Sequence, residues 1–409
     1  MDKETNLDTI VQLAKRKGVF YLEDYPGLSL SLEEFSKLRA LLKWHHIPIE
    51  TKKKITAFSQ REAIQIINAL RKGVPPQAGI NIFSIGRRRI TENVAQDLDI
   101  IRNGSSLVRF MSAGYGHGKT HTLHLIKDLA FQRGFVVSLV TLSQDYCPIY
   151  EFLNVYHEVM WQLRTPGEPN EPALETVLDR WLEAIKKLGE DRARKLIHNL
   201  SVNLVNALNV YYQSISPIKP NEQQRLLILK YLSGEWLYLS DLRPLGISNR
   251  IEGSESIKML GTMARLFRTL GFRGLCILFD EAEAIHSLER GSHRDNGYHN
   301  LLRLVKESRQ FPHCYFLYAT TPSFFDDYHY YWPVPDRIKS NDILELDSLT
   351  AVELAELATN ICQVYGIAYN KSIPQNLEES LKTMADAMSH EPVGLFVRRC
   401  IAVLQEQVK

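Results

Sequence analysis

One short run of residues has the types and the spacing that are needed to bind phosphate. Residues 113–120 read Ala-Gly-Tyr-Gly-His-Gly-Lys-Thr and lie between an apolar stretch and a helical pattern. Glycines let the backbone curl so that several N–H groups point at phosphate oxygens, and the N-terminus of the following helix adds positive charge. The run therefore predicts a phosphate-binding loop (P-loop), although Ala113 stands where such loops usually begin with glycine. The alternative is a glycine-rich helix start that arose by chance.

The side chains of this run suit a nucleoside triphosphate that carries magnesium. Lys119 would reach the β- and γ-phosphates, and the Thr120 hydroxyl would be a ligand of Mg²⁺. We expect nucleotide contacts from eight residues of the run and the helix start, which are Gly114, Tyr115, Gly116, His117, Gly118, Lys119, Thr120 and His121.

A pair of carboxylates follows an apolar run much further along the chain. Residues 274–279 read Gly-Leu-Cys-Ile-Leu-Phe, and Asp280 and Glu281 come next. After a P-loop, this order indicates a Walker B strand, in which Asp280 holds Mg²⁺ through water and Glu281 polarises the attacking water. Glu283 and His286 follow within about one turn. We expect a solvent-facing helix start there, and contact with the substrate is the alternative.

Apolar runs of strand length surround these motifs and predict the elements that position them. The runs are residues 107–111, 135–142, 274–279, 314–320 and 342–346. A continuous run such as 135–142 is typical of a parallel strand that is buried on both faces. From about residue 168 to 270 the pattern is helical almost throughout. This stretch is too long for a connection between neighbouring strands, so it indicates an inserted helical subdomain.

The chain is accordingly predicted to be an α/β protein. It combines a parallel-sheet P-loop NTPase core with a large helical insertion and a C-terminal helical lid. The predicted parts are an N-terminal helical segment (1–55), the first part of the core (56–167), the insertion (168–270), the second part of the core (271–348) and the lid (349–409). The lid is inferred from three helical patterns, at 349–364, 377–388 and 392–408.

The composition places few limits on partners. Charged residues make up 23% of the 409 residues and the formal net charge is +2, so no overall field favours nucleic acid or a membrane. The N-terminus is no signal peptide, and no apolar run approaches the roughly 20 residues that span a bilayer. The five cysteines are far apart and form no CxxC pair, which favours a reducing cytoplasm. Basic runs at 52–54 and 87–89 are solvated surface or contacts to a phosphate backbone.

Five segments, taken in their order, carry a family resemblance. They are residues 61–75, 114–121, 232–246, 278–283 and 320–322. Together they resemble the ATP-binding proteins of bacterial BREX phage-defence systems, of the BrxD type, over about residues 60 to 405. The P-loop and the Asp-Glu pair are generic to ATPases, whereas the helical segments in the middle of the chain are the more specific signal.

The resemblance implies an ATPase fold of the AAA+ kind and, with it, three further candidate residues. Thr320 ends a predicted strand where a γ-phosphate sensor belongs (sensor 1), and simple strand capping is the alternative. Arg398 lies on the last helix, where a second sensor arginine belongs. Arg337 stands where AAA+ proteins place an arginine finger that acts on a neighbouring subunit, and a surface salt bridge is the alternative.

The predicted function is ATP hydrolysis with Mg²⁺ that drives or gates an anti-phage, BREX-like complex in the cytoplasm. The expected catalytic residues are Glu281, Lys119 and Arg337, and the expected metal ligands are Thr120 and Asp280. Other defence-system proteins and further copies of the chain are the expected partners, without a membrane. Two alternatives stay open. One is a nucleotide-dependent switch or scaffold with little or no hydrolysis, and the other is a DNA-binding loader or clamp that uses the basic runs.

Overall fold

The computed structural model describes most of the chain beyond its first 57 residues. The described residues are 11, 20–21, 37–38, 41–42, 49–50, 58–215, 218–307, 311–326 and 338–408. Most of the predicted N-terminal segment, and the predicted arginine finger Arg337, therefore lie outside the described residues. Within the described part, none of the helices has the length and apolar character needed to cross a bilayer.

The described elements alternate between strands and helices for most of their length. The strands are β1 (Phe20–Tyr21), β2 (Ile49–Glu50), β3 (Ser106–Ser112), β4 (Val136–Thr141), β5 (Leu163–Arg164), β6 (Leu275–Asp280), β7 (Cys314–Thr320) and β8 (Ile343–Glu345). The α-helices are α1 (Gln60–Lys72), α2 (Arg88–Arg102), α3 (Lys119–Gln132), α4 (Phe152–Trp161), α5 (Leu174–Leu188), α6 (Glu190–Ile197), α7 (Val202–Ser214), α8 (Glu222–Ser233), α9 (Leu239–Leu242), α10 (Gly253–Thr269), α11 (Gly291–Glu307), α12 (Ser323–Asp326), α13 (Ala351–Tyr369), α14 (Gln375–Ala387) and α15 (Val393–Gln407). Short 3-10 turns cover Ile80–Ile82, Arg243–Leu245, Ala282–Ile285 and Ser340–Asp342.

The chain divides into two compact units. Residues 1–89 and 348–409 form one, called here the helical unit, and residues 90–347 form the other, called the α/β unit. In the helical unit, α1 and α13–α15 bury Ile66, Leu357 and Phe396 in a common core. The helix starts are fixed by local chemistry, since both Ser59 and Thr350 form capping boxes with the glutamate three residues later.

The α/β unit is built on a six-stranded sheet with the order β5-β4-β6-β7-β3-β8. All its neighbouring strands are parallel except β5, which pairs antiparallel to β4 at one edge. The strand that leads into the P-loop, β3, is therefore separated from the Walker B strand, β6, by β7 alone. The predicted fold class is confirmed as an α/β fold in which a P-loop follows a strand of a mostly parallel sheet, with a helical insertion and a helical end. The five-part division of the chain stays a prediction.

Both faces of the sheet are covered, which explains the continuous apolar runs in its strands. On one face, Met111, Cys276 and Leu317 pack with residues of α2 and α3, including Leu98 and Ile126. The opposite face contributes to a second core with the helices that follow β4 and with α11. Because β6 and β7 are buried on both sides, their residues need no alternation of polar and apolar side chains.

Two local features differ from the sequence prediction. The pattern of residues 149–163 predicts one amphipathic helix, whereas α4 ends at Trp161 and the edge strand β5 follows it directly. Two residues give too short a pattern to be recognised as a strand. The pattern of residues 298–309 predicts a helix that starts at Tyr298, whereas α11 begins seven residues earlier, at Gly291, because its first turns carry polar residues and glycines that show no apolar periodicity.

Candidate nucleotide-binding site

The candidate site lies at the carboxyl ends of three neighbouring parallel strands. The loop 113–118 leaves β3, Asp280 ends β6, and Thr320 ends β7 between them. Strand register aligns these ends, since Ser112 is opposite Thr320 and the Ala113 N–H donates to the Thr320 carbonyl at 3.1 Å. Ligands of open α/β sheets bind at this edge. The sheet thus brings together motifs that are 160 residues or more apart in sequence.

Glycines shape the loop as the sequence predicts. Gly116 and Gly118 have φ angles of 75° and 90°, in the left-handed region that other residues rarely adopt. Gly114 is required for a different reason, because a Cβ at this position would lie 2.9 Å from the His117 Nδ1 atom. The alanine at 113 is compatible with the loop, since it is buried in the sheet core and its N–H is already used by β7.

The Lys119 side chain is buried and is turned back onto its own loop. Its Nζ donates to the Ala113 carbonyl at 3.1 Å and to the Gly114 carbonyl at 3.5 Å. The Nζ also lies 3.5 Å from Glu283 Oε1 and 4.9 Å from the centre of the Tyr115 ring. The loop cation is therefore surrounded by carbonyl oxygens, a carboxylate and an aromatic face, all of which attract positive charge.

Thr120 and Asp280 meet across the site although 160 residues separate them. The Thr120 hydroxyl donates to Asp280 Oδ2 at 2.7 Å, and the backbone N–H of Glu281 donates to Asp280 Oδ1 at 3.0 Å. A hydroxyl and a carboxylate are the hard oxygen ligands that Mg²⁺ prefers, and Mg²⁺ commonly uses few protein ligands plus water and phosphate. The donor set therefore fits the predicted metal.

Glu281 is exposed and stands in an unusual backbone conformation directly after β6. Its φ and ψ angles of 55° and 43° are left-handed, which costs a non-glycine residue of order 1–3 kcal/mol and persists where the surroundings enforce it. Partial burial, with the Asp280 and Glu283 carboxylates nearby, raises the pKa of the Glu281 carboxyl above its usual value, and Lys119 opposes this. A raised pKa makes the carboxylate a stronger base towards water.

Glu283 corrects the expectation of a solvent-facing helix start. Its side chain is only 9% exposed, and among the described residues neither carboxylate oxygen has a hydrogen-bond partner. Its carboxylate lies 3.5 Å from the Lys119 ammonium. The sequence held a signal for this burial, because the neighbouring Ala282 and Ile285 are apolar and are themselves buried in the 3-10 turn that follows β6.

Thr320 is completely buried at the end of β7, between the P-loop strand and the Walker B strand. Within the described part of the chain, its Oγ1 has no hydrogen-bond partner. A buried hydroxyl without a partner is unusual and calls for an explanation by strain or function. The role of Thr320 as a phosphate sensor stays a prediction that this position supports.

The remaining candidates differ in how far the structure describes them. The His117 ring Nδ1 lies 3.1 Å from the Tyr115 carbonyl, and Tyr115 is 73% exposed. His121 lies on the first turn of α3 and is partly exposed. Arg398 is an exposed residue of α15, in the helical unit. Its role, like that of Arg337, stays a prediction.

Comparisons with known proteins identify a family and show a distant likeness to a solved structure. The family model of the BREX system ATP-binding protein BrxC/D matches residues 58–405. Among solved structures, the chain is similar to the ORC2 protein of Aeropyrum pernix, described in ADPNP–ADP complexes. The identity is 14% and the TM-score 0.39, and the match covers 78% of this chain but only 61% of that chain. The search of curated proteins found no match.

Proposed function

We propose that this chain, which belongs to the family of the BREX system ATP-binding protein BrxC/D, binds ATP with Mg²⁺ and hydrolyses it. The observation that carries the proposal is the meeting of Thr120 and Asp280 at 2.7 Å, beside Lys119 and Glu281, at one edge of the sheet. A hydroxyl, two carboxylates and a cation in this arrangement match the needs of phosphoryl transfer from a nucleoside triphosphate.

Each residue has a separate task in this reaction. The N–H groups of the loop 113–118 and the start of α3 bind phosphate oxygens, and Lys119 neutralises charge on the β- and γ-phosphates. Thr120 and Asp280 would hold Mg²⁺, which neutralises phosphate charge when it is bound. The Glu281 carboxylate orients a water molecule and accepts its proton, a task for which its raised pKa suits it. The buried Thr320 hydroxyl donates a hydrogen bond to the γ-phosphate.

In the cell, the energy of hydrolysis drives or gates an anti-phage complex of the BREX kind in the cytoplasm. The proposal for this wider role rests on the family alone. It includes other defence-system proteins and further copies of the chain as partners.

A second function, a nucleotide-dependent switch with little turnover, is favoured by one observation. Lys119 has four neighbours that compete with phosphate, namely two carbonyls, the Glu283 carboxylate and the Tyr115 ring. A site whose cation must be rearranged before it serves the phosphates suits a protein that responds to nucleotide slowly. Measured turnover separates this function from the first.

One pair of variants tests the proposed function. Lys119→Ala removes the loop cation, so the affinity for a fluorescent ATP analogue should fall by about ten- to a hundred-fold, the equivalent of one lost charge-assisted bond. Lys127→Ala is the matched control, since Lys127 lies two turns further along α3 and contacts the Phe131 ring. Equal affinities of the wild type and the Lys119→Ala protein would refute the P-loop assignment.

Glu281→Gln separates binding from chemistry. It preserves the shape of the side chain and removes the carboxylate, so ATP should still bind while phosphate release slows by about 10²-fold or more, which is typical of lost general-base assistance. A wild type that binds ATP without turnover above background would favour the switch. A Glu281→Gln protein with unchanged turnover would show that another group activates the water.

A further inference from the structure

We propose that Glu283 is a counter-charge for the loop lysine that competes with the phosphates of a nucleotide, so that it weakens the binding of ATP more than that of ADP. The inference rests on the proposed function of the site and adds a residue that selects between two nucleotides. It begins with the contact between Glu283 Oε1 and Lys119 Nζ, which are 3.5 Å apart.

Burial makes this contact strong enough to matter. The two side chains are only 8% and 9% exposed, so water screens their attraction weakly. Exposed ion pairs, by contrast, contribute little because solvent and salt screen them. The Lys119–Glu283 pair is therefore an electrostatic interaction that an incoming phosphate has to overcome or offset.

The Glu283 carboxylate lacks the hydrogen bonds that usually stabilise a buried structural ion pair. A buried carboxylate is usually stabilised by hydrogen bonds to both oxygens, because the loss of water is otherwise not offset. In the described part of the chain, neither Glu283 oxygen has a hydrogen-bond partner. The Nζ atom is nearer to the Ala113 carbonyl, at 3.1 Å, than to the carboxylate. The carboxylate thus loses its hydration and gains little in return, which keeps its negative charge poorly stabilised.

The negative charge of the Glu283 carboxylate also affects ATP and ADP to different extents. A P-loop lysine reaches the β- and γ-phosphates, so ATP brings more negative charge towards Glu283 than ADP does. Like charges at short range in a weakly screened site repel, and the repulsion grows with the charge of the ligand. Glu283 also draws the lysine away from the phosphates that it would neutralise. Both effects lower the affinity for ATP more than that for ADP.

Glu283→Gln tests the inference because it keeps the shape and removes the charge. We expect the dissociation constant for Mg·ATP, measured by titration calorimetry, to fall by about tenfold, or about 1.4 kcal/mol. The constant for Mg·ADP should fall by clearly less. Glu289→Gln is the matched control, since it removes an equal charge from an exposed position in the same segment and should leave both constants unchanged.

A double-mutant cycle distinguishes charge competition from a structural role. In a Lys119→Ala background, Glu283→Gln should keep only the part of its effect on the ATP-to-ADP preference that comes from direct repulsion of the phosphates, because the cation for which Glu283 competes is gone. If Glu283 had only a structural role, Glu283→Gln would lower the affinities for ATP and ADP alike in either background. If Glu283→Gln fails to fold, Glu283→Asp replaces it, since the shorter side chain retracts the carboxylate and should shift the preference in the same direction by less.

The outcomes separate this inference from the proposed function. A wild type that binds neither ATP nor ADP refutes the proposed function. A wild type that binds ATP, with a Glu283→Gln protein whose ATP and ADP affinities are unchanged or are equally weakened, overturns the role of Glu283 alone. A selective gain in affinity for ATP that becomes smaller in the Lys119→Ala background supports the role of Glu283.

Discussion

Two ion pairs in the α/β unit are both largely shielded from water, yet they differ in how completely they are hydrogen-bonded. Arg109 and Asp97 form a bidentate pair, with Nε to Oδ2 at 2.8 Å and Nη2 to Oδ1 at 2.6 Å. Arg109 Nη1 also donates to the Asn341 carbonyl at 2.6 Å. In the pair of Lys119 and Glu283, a single distance of 3.5 Å joins the charges and the carboxylate has no hydrogen-bond partner among the described residues.

The difference follows from where each pair lies in the sheet. Arg109 points from the middle of β3 to Asp97 on α2 and so joins the sheet to a helix that covers it. The hydrogen bonds that Arg109 donates to Asp97 raise the pKa of the Arg109 guanidinium, which keeps its charge fixed. Lys119 and Glu283 lie at the edge where three strands end. A saturated pair has no capacity left for a ligand, whereas an unsaturated one can exchange its partner for a phosphate.

The largest effect on stability is expected where the saturated pair is broken. Asp97→Ala leaves the Arg109 guanidinium without its carboxylate, which typically costs about 3–5 kcal/mol when the pair is buried. Urea unfolding, followed by the fluorescence of the buried Trp181 in the same unit, measures the loss. Asp99→Ala is the control on the same helix. Asp99 is exposed and lies 3.9 Å from Arg133, so its loss should cost less than about 1 kcal/mol.

The unsaturated pair should respond differently to the same measurement. Glu283→Gln should change the free energy of unfolding by less than about 1 kcal/mol in either direction, because the carboxylate has no hydrogen bond to lose and its desolvation is relieved. A loss as large as that of Asp97→Ala would remove the contrast between the two pairs. It would place Lys119 and Glu283 among the contacts that hold the fold.

The residues that the sequence places well are those that stand in motifs with a fixed local spacing. Lys119, Thr120, Asp280 and Glu281 stand in motifs that combine a strand, a turn and a charge within a few residues. The continuous apolar runs predict the strands of a parallel sheet, but they do not give the order of those strands. The burial of Glu283 depends on which neighbours surround it in three dimensions, and spacing alone favoured solvent. The pairing of Arg109 with Asp97 escaped prediction for the same reason, since it depends on how α2 packs against β3.

Two short features, the edge strand β5 and the first turns of α11, could not be predicted from the sequence pattern. The strand β5 consists of two residues, Leu163 and Arg164, directly after α4, and it exists because an edge of the sheet is available to pair with it. The strand propensity of two residues is too weak a signal to predict such a strand from the sequence. The early start of α11 at Gly291 is similar, because tertiary packing extends the helix through residues that are poor helix formers.

The Thr320 hydroxyl is a second unsaturated group of the site, and the expected change in stability is again small. Thr320→Val replaces a buried hydroxyl that has no partner among the described residues with a methyl group of similar shape, in a central strand that favours β-branched side chains. The unfolding free energy should rise by about 1 kcal/mol, because an unsatisfied buried hydroxyl is destabilising. ATP hydrolysis should fall nonetheless, since the proposed donor to the γ-phosphate is gone.

Thr122→Val is the matched control. The buried Thr122 hydroxyl donates to the Gly118 carbonyl at 2.9 Å, so the loss of this hydrogen bond should lower the free energy of unfolding by about 1 kcal/mol. Urea unfolding and phosphate release on the same preparations give both results. A Thr320→Val protein that is less stable than wild type would mean that the hydroxyl stabilises the fold. One that is more stable and hydrolyses ATP at the wild-type rate would mean that Thr320 does not sense phosphate, and that incomplete hydrogen bonding alone does not identify the functional groups of this site.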